Sequence, residues 1–272
     1  MKNSIKIMLI VIAILNATIF SQSNENSELF NIFEYRNFSP HRVGSWISDI
    51  AVPETNNHEH KYTFYVSGRH GGVWRTKNNG TTFQQIFKGH GTSSIGAIEV
   101  ANSNANIIWV GTGEASNARS THAGNGIYKS VDGGETFKFM GLADSHHIPK
   151  IIIHPKNENI IYVAVMGHLF SKNKMRGVFK TINGGKTWEK VLYINEQTGV
   201  IDIVINRNNP NIIYAATYDK IRYPWHLEAG GSNSGIYKSV DGGDNWNRLS
   251  GGFPYGNIGR IGLDIYRKNP NI

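Results

Sequence analysis

The sequence predicts an all-β fold, a β-propeller of four-stranded blades of roughly 50 residues each. Three observations carry this. One segment occurs four times, as Gly72 to Phe83, Gly126 to Phe137, Gly177 to Trp188 and Gly235 to Trp246. Each copy is a Gly-apolar-aromatic-basic-Ser/Thr strand followed by a glycine-bearing turn. A second landmark keeps the same beat as Asn106-Ile-Ile-Trp109, Asn159-Ile-Ile-Tyr162 and Asn211-Ile-Ile-Tyr214, and Asn271-Ile272 begins another copy. A third, Ile98, Ile151, Ile203 and Leu263, precedes those isoleucine pairs at constant spacing, and no helical periodicity competes with the pattern.

The elements follow in order. Residues 1–21 read as a signal peptide: Lys2 and Lys6 precede the apolar run Ile7 to Ile14, and Ser21 offers a small residue for cleavage. Residues 22–41 form a lead segment, and 42–272 hold four complete blades and the start of a fifth, so the chain is expected to be a fragment of a longer protein. In each blade an apolar strand A (Ser94 to Val100, His147 to Ile153, Val200 to Ile205) is followed by an Asn- and Pro-rich turn. Strand B (Ile107 to Val110, Ile160 to Val165, Ile212 to Ala216) is β-branched and aromatic. A variable loop then leads to the alternating strand C, a tight turn and strand D.

Composition narrows the classes. With 272 residues, 39% hydrophobic, 18% charged and no cysteine, the chain can bury a core and uses neither disulfides nor thiolate metal sites nor a cysteine nucleophile. Export without cysteine suits a bacterial periplasmic, cell-surface or secreted protein. The net charge of +8 comes without a lysine and arginine stripe, which points to a solvated surface rather than nucleic acid. No second long apolar run follows the signal peptide, so no membrane span is expected, and no cofactor or metal is implied. His58 and His60 have chelating spacing but lack a third ligand and read as a solvated loop.

The repeated turn has a physical rationale. Asp132, Asn183 and Asp241 carry short acceptor side chains that bond nearby backbone N–H groups, and the pairs Gly133-Gly134, Gly184-Gly185 and Gly242-Gly243 supply positive φ. In blade 1, Asn78-Asn79-Gly80 replaces Asp-Gly-Gly. The aromatic residues Phe137, Trp188 and Trp246, with Phe83, are expected to cover the turn. The motif resembles the Asp-box, or neuraminidase repeat, of sialidases, xyloglucanases and sortilin-type receptors, where it is a structural clamp.

Antiparallel alternation puts the A→B and C→D turns on one rim and the B→C and D→A loops on the other. The second set is long and chemically loaded, which makes Arg69, Glu114, Arg119, His122, His168, Arg222 and Trp225 the candidate ligand contacts. Strand A normally lines a propeller channel, so Asp49, Glu99, Asp202 and Asp264 there are solvated residues, structural acids or a glycosidase acid/base pair.

From about Arg42 to Ile272 the chain resembles bacterial secreted proteins with sortilin-like Asp-box propellers, commonly labelled glycosyl hydrolases. Ser67 to Arg75, Trp109 to Glu114, Met140 to His146 and Gly259 to Asp264 carry the resemblance. Xyloglucanases of this architecture place a catalytic aspartate before the Gly-Gly that opens a third strand; here Gly68-Arg-His-Gly-Gly72 puts Arg69 there, a cation that does not act as a carboxylic acid. The sialidase Arg-Ile-Pro element is replaced by His147-Ile-Pro149. The expected function is therefore an exported peptide- or glycan-binding module, completed by further blades or C-terminal domains. The alternative is a glycoside hydrolase working through the channel carboxylates.

Overall fold

A computed structural model describes residues 46–55, 57–116 and 121–270. The expected signal peptide, the lead segment and Arg119 lie outside the described residues. The described chain is all-β and forms four antiparallel four-stranded propeller blades. Blade 1 comprises β1 (Ile47–Ala51), β2 (Phe64–Gly68), β3 (Gly72–Thr76) and β4 (Gln84–Gln85). Blade 2 comprises β5 (Ile95–Ala101), β6 (Asn104–Thr112), β7 (Ile127–Ser130) and β8 (Lys138–Phe139). Blade 3 comprises β9 (Lys150–Ile153), β10 (Ile161–Val165), β11 (Gly177–Thr181) and β12 (Glu189–Leu192). Blade 4 comprises β13 (Thr198–Ile205), β14 (Ile213–Arg222), β16 (Gly235–Ser239) and β17 (Asn247–Arg248), with β15 (Leu227–Ala229) paired to the far end of β14. No helix among the described residues is long and apolar enough to cross a membrane.

The core lies between blades. Tyr65, Val73, Ile98 and Val110 join blades 1 and 2, while Trp109, Ile127, Ile151 and Val163 join blades 2 and 3. Tyr162, Val178, Ile203 and Ile213 join blades 3 and 4. In blades 2, 3 and 4 strand B is buried on both faces over most of its length, which is why it reads as a continuous apolar run, whereas β2 of blade 1 alternates buried and half-buried residues. Each fully buried Ile or Val here contributes about 1.5–3 kcal/mol.

The repeated turn is a small hydrogen-bonded cage. Asp132 Oδ1 accepts from the Thr136 N–H at 2.9 Å and from the Ser130 hydroxyl at 2.7 Å, and that hydroxyl accepts from Gly134 N–H at 2.8 Å. Thr181 and Asn183 repeat the arrangement in blade 3, and Ser239 and Asp241 in blade 4. In blade 1 the capping acceptor is Asn78, while Asn79 takes the left-handed backbone position at φ 55° that Gly133 occupies elsewhere. The first glycine N–H also donates 2.9 Å to the carbonyl of Asn106, Asn159 or Asn211, which lie in or just before the same blade's strand B. That bond ties together two landmarks visible in the sequence.

The aromatic residues do more than cover their own turn. The Trp188 indole donates 2.7 Å to the Met140 carbonyl of blade 2, and Phe137 packs edge-on against Phe87 of blade 1. Trp246 does stay at home, donating to Gly243 O.

Three boundaries differ from expectation. Strand A of blade 3 starts at Lys150 rather than His147; Pro149, which has no N–H to give to a ladder, stands directly before it. β14 continues to Arg222 and folds back through β15, where a plain loop was expected. Residues 259–270 contain no strand; Gly231 bridges Ile258, and Leu263 packs with Ile261 onto a buried cluster that includes Ile201 and Tyr218.

Candidate functional site

The rim formed by the B→C and D→A loops is knitted together from side chains. Arg69 and Glu114, both expected as open ligand contacts, are instead buried and paired, with Nε 2.9 Å from Oε1. The second oxygen of Glu114 accepts from Ser116, and the Arg69 guanidinium lies 4.8 Å from the centre of the Trp46 ring. These two residues lock the loops of blades 1 and 2 to each other. His122 is exposed and meets His70 edge-on at 4.4 Å.

Under the same rim lies a buried basic group. Lys220 reaches the carbonyls of Ala115 and Ser116 at 3.4 Å, and burial brings its amine down to about 8 although Glu114 acts in the opposite sense. Burial, reinforced by Lys220, pushes His147 down to about 3, so its ring is neutral. Arg176, completely buried, donates to the carbonyls of Met166, Gln197 and His168 and clamps the blade 3 loop from inside. Sequence patterning does not reveal these roles, because each depends on a partner in a different loop.

Blades 3 and 4 supply the open part of the rim. Trp225 is 83% exposed and stacks on Tyr223 with ring centres 5.8 Å apart and planes 16° apart. The β14–β15 hairpin presents both rings, and the Arg222 N–H donates 2.8 Å to Leu169 O, which holds exposed Phe170 beside that hairpin. His168 is half-buried, with Nε2 2.8 Å from Asp144 Oδ1 and Nδ1 3.0 Å from the Ser171 hydroxyl. Its ring stacks on His146 at 3.7 Å. Asp144, His146 and His168 place one ligand-type atom each within 4.8 Å of the others, a grouping the sequence reading missed because it joins a D→A loop to a B→C loop.

The channel carboxylates lie elsewhere. A cavity of about 160 Å³ opens among the A→B turns and is lined by Glu99, Lys150, Arg207, Asp264 and Arg267 with isoleucines of β9 and β13. It belongs to the rim opposite the aromatic loops, so the two sets of candidates do not form one site. Asp49 and Asp202 each follow a β-bulge and use one oxygen for their own neighbour's N–H and the other for a backbone N–H farther along the chain, in β5 for Asp49 and in the segment after blade 4 for Asp202. Asp49 receives Ile98 N–H at 3.2 Å, and Asp202 receives Leu263 N–H at 2.9 Å. Asp49 thus staples blade 1 to blade 2, and Asp202 staples blade 4 to the segment that follows it. Burial raises Asp49 despite Lys150 at 3.9 Å. Burial raises Glu99 to about 7, again against the pull of Lys150, and Asp264 is exposed.

No protein-family model and no curated protein matches the chain. Among solved structures it is similar to an ancestral GH74 enzyme, with 24% identity and a TM-score of 0.59 over 81% of this chain and 26% of that one. It is also similar to the GH74 enzyme of Niastella koreensis, with 18% identity and a TM-score of 0.53 over 76% of this chain and 30% of that one. The GH74 xyloglucanase of Xanthomonas campestris follows at 16% identity and a TM-score of 0.55, covering 78% and 31%. The chain thus spans between a quarter and a third of the length of these enzymes, and at such identities the likeness establishes a shared β-propeller fold.

Proposed function

We propose that this chain is a ligand-capture module of an exported Asp-box propeller, binding a glycan or peptide on the B→C rim. The observation that carries this is the Tyr223–Trp225 stack: two nearly parallel rings on a braced hairpin, with the indole left in water. Exposed aromatic faces of this kind stabilise a sugar ring, a proline or another aromatic group laid against them, and the hairpin holds them in place before the ligand arrives. Arg222 lies at the base of this hairpin and is tied to the loop of His168 through Leu169, while His122 belongs to the blade 2 loop of the same rim, where Arg69 and Glu114 fix the loops of blades 1 and 2. The repeated turns support the Asp-box assignment, and residues 1–21 support export.

The glycosidase alternative has weaker support. Asp49 and Asp202 are committed to backbone N–H groups, which leaves Glu99, protonated near neutrality, and exposed Asp264 at the opposite rim. The test is capture of soluble oligosaccharides and of a peptide library by the immobilised chain. Trp225→Ala and Tyr223→Ala are expected to lower affinity at least roughly tenfold at an unchanged melting temperature, since both rings are surface features. Capture that survives both substitutions sinks the choice of rim. Hydrolysis of a glycan, lost in Glu99→Gln, would replace the proposal with the alternative.

A further inference from the structure

We propose that Asp144, His146 and His168 form a transition-metal site, with Zn²⁺ as the ion of best fit. The three side chains come from two loops that the backbone holds with unusual firmness. His146 sits at φ 54° and ψ −44°, a conformation that disfavours any side chain. It is pinned there because its carbonyl accepts Gly124 N–H at 2.7 Å, and the following carbonyl, of His147, accepts Met166 N–H at 3.0 Å. Its imidazole is thereby turned toward His168. On the other loop, His168 N–H donates to Asn173 Oδ1 at 3.1 Å and its carbonyl is gripped by Arg176.

The donor geometry fits a small cation. In a tetrahedral site with bonds of about 2.0–2.1 Å, ligand atoms lie roughly 3.3 Å apart. Here Asp144 Oδ1 is 2.8 Å from His168 Nε2 and 3.8 Å from His146 Nε2, and all three atoms fall within 4.8 Å. Coordination requires one imidazole to swing out of the stack so that both Nε2 lone pairs converge beside Asp144, a side-chain rotation that the partial exposure of the two rings permits. Two imidazole nitrogens and one carboxylate select Zn²⁺, Cu²⁺ or Ni²⁺ over the oxygen-seeking Ca²⁺ and Mg²⁺. Ser171 supplies the outer hydrogen bond: its hydroxyl lies 3.0 Å from His168 Nδ1 and orients the ring so that Nε2 faces the ion. Three protein ligands leave a fourth position for water or for an atom of a bound ligand.

The experiment uses the untagged full chain, freed of metal by a chelator and titrated with Zn²⁺ by calorimetry and with Co²⁺ by visible absorption. The expected result is one Zn²⁺ per chain and the intense d–d bands of a tetrahedral Co²⁺ complex. His168→Gln, His146→Asn and Asp144→Asn should each weaken binding roughly 10- to 100-fold, with circular dichroism and metal-free melting temperature retained. Asn is chosen at position 146 because it tolerates positive φ. A double variant, His58→Gln with His60→Gln, alters the pair on the opposite rim and should bind Zn²⁺ as the parent does. Absence of stoichiometric binding, binding untouched by all three site variants, or binding abolished in the His58/His60 variant would each overturn the assignment.

Discussion

At the scale of single residues, the buried charges decide most. Arg69 and Glu114 are desolvated together, so removing Arg69 leaves a buried carboxylate without its direct partner, with Lys220 as the remaining nearby cation. Arg69→Ala is expected to cost about 3–5 kcal/mol in urea unfolding, whereas Arg69→Met with Glu114→Leu should recover most of that loss. Equal losses in both variants would mean that the pair contributes through packing alone. Glu99 behaves differently. Its carboxyl titrates near 4.5 when unfolded and near 7 when folded, so between these values the native chain keeps a proton that the unfolded chain has released. Its contribution to stability is therefore complete below about 4.5 and is lost as pH rises through about 7. Glu99→Gln should melt with the parent at pH ~4 and be more stable by about 1–3 kcal/mol at pH ~8. A constant difference across that range would refute the burial of this carboxyl.

At the scale of elements, the turn cage explains what the sequence shows and what it hides. The Asp or Asn and the glycines are legible because the cage bonds of the acceptor and the second glycine stay within four residues of chain. In blade 1 two adjacent asparagines divide the work: Asn78 supplies the acceptor and Asn79 the left-handed position, in keeping with the match of Asn78-Asn79-Gly80 to Asp-Gly-Gly. The Ser or Thr at the end of strand C reads as an ordinary alternating strand residue, yet its hydroxyl both accepts and donates inside the cage. Ser239→Ala removes the acceptor for Gly243 N–H and should cost about 1–3 kcal/mol, while Ser239→Thr should be near neutral because Thr181 already does the same work in blade 3. Thermal melts of the two variants distinguish these outcomes, and a loss as large in the Thr variant would argue against the hydroxyl. The β14–β15 hairpin escaped the sequence reading for another reason. Tyr223-Pro224-Trp225 carries turn chemistry, but β15 is only three residues long and pairs with just the last three residues of the long, buried β14, so no alternating partner strand shows in the sequence.

For the whole molecule, blade number, strand order and inter-blade cores follow from a periodicity repeated four times, which a single sequence displays openly. Which loops meet does not follow from it. The Asp144–His168 contact, the Arg69–Glu114 pair and the separation of the Glu99 cavity from the aromatic rim all depend on how blades are arranged about the channel, and no local pattern encodes that. The assembled blades treat their six tryptophans very unequally. Trp109 is sealed between blades 2 and 3, whereas Trp225 stands almost wholly in water. Fluorescence from the two should therefore separate by colour, the sealed indole emitting to the blue and the open one to the red and within reach of iodide. The protein carries its own optical readout, in which a ligand on the rim dims the red component and a loosened core shifts the blue.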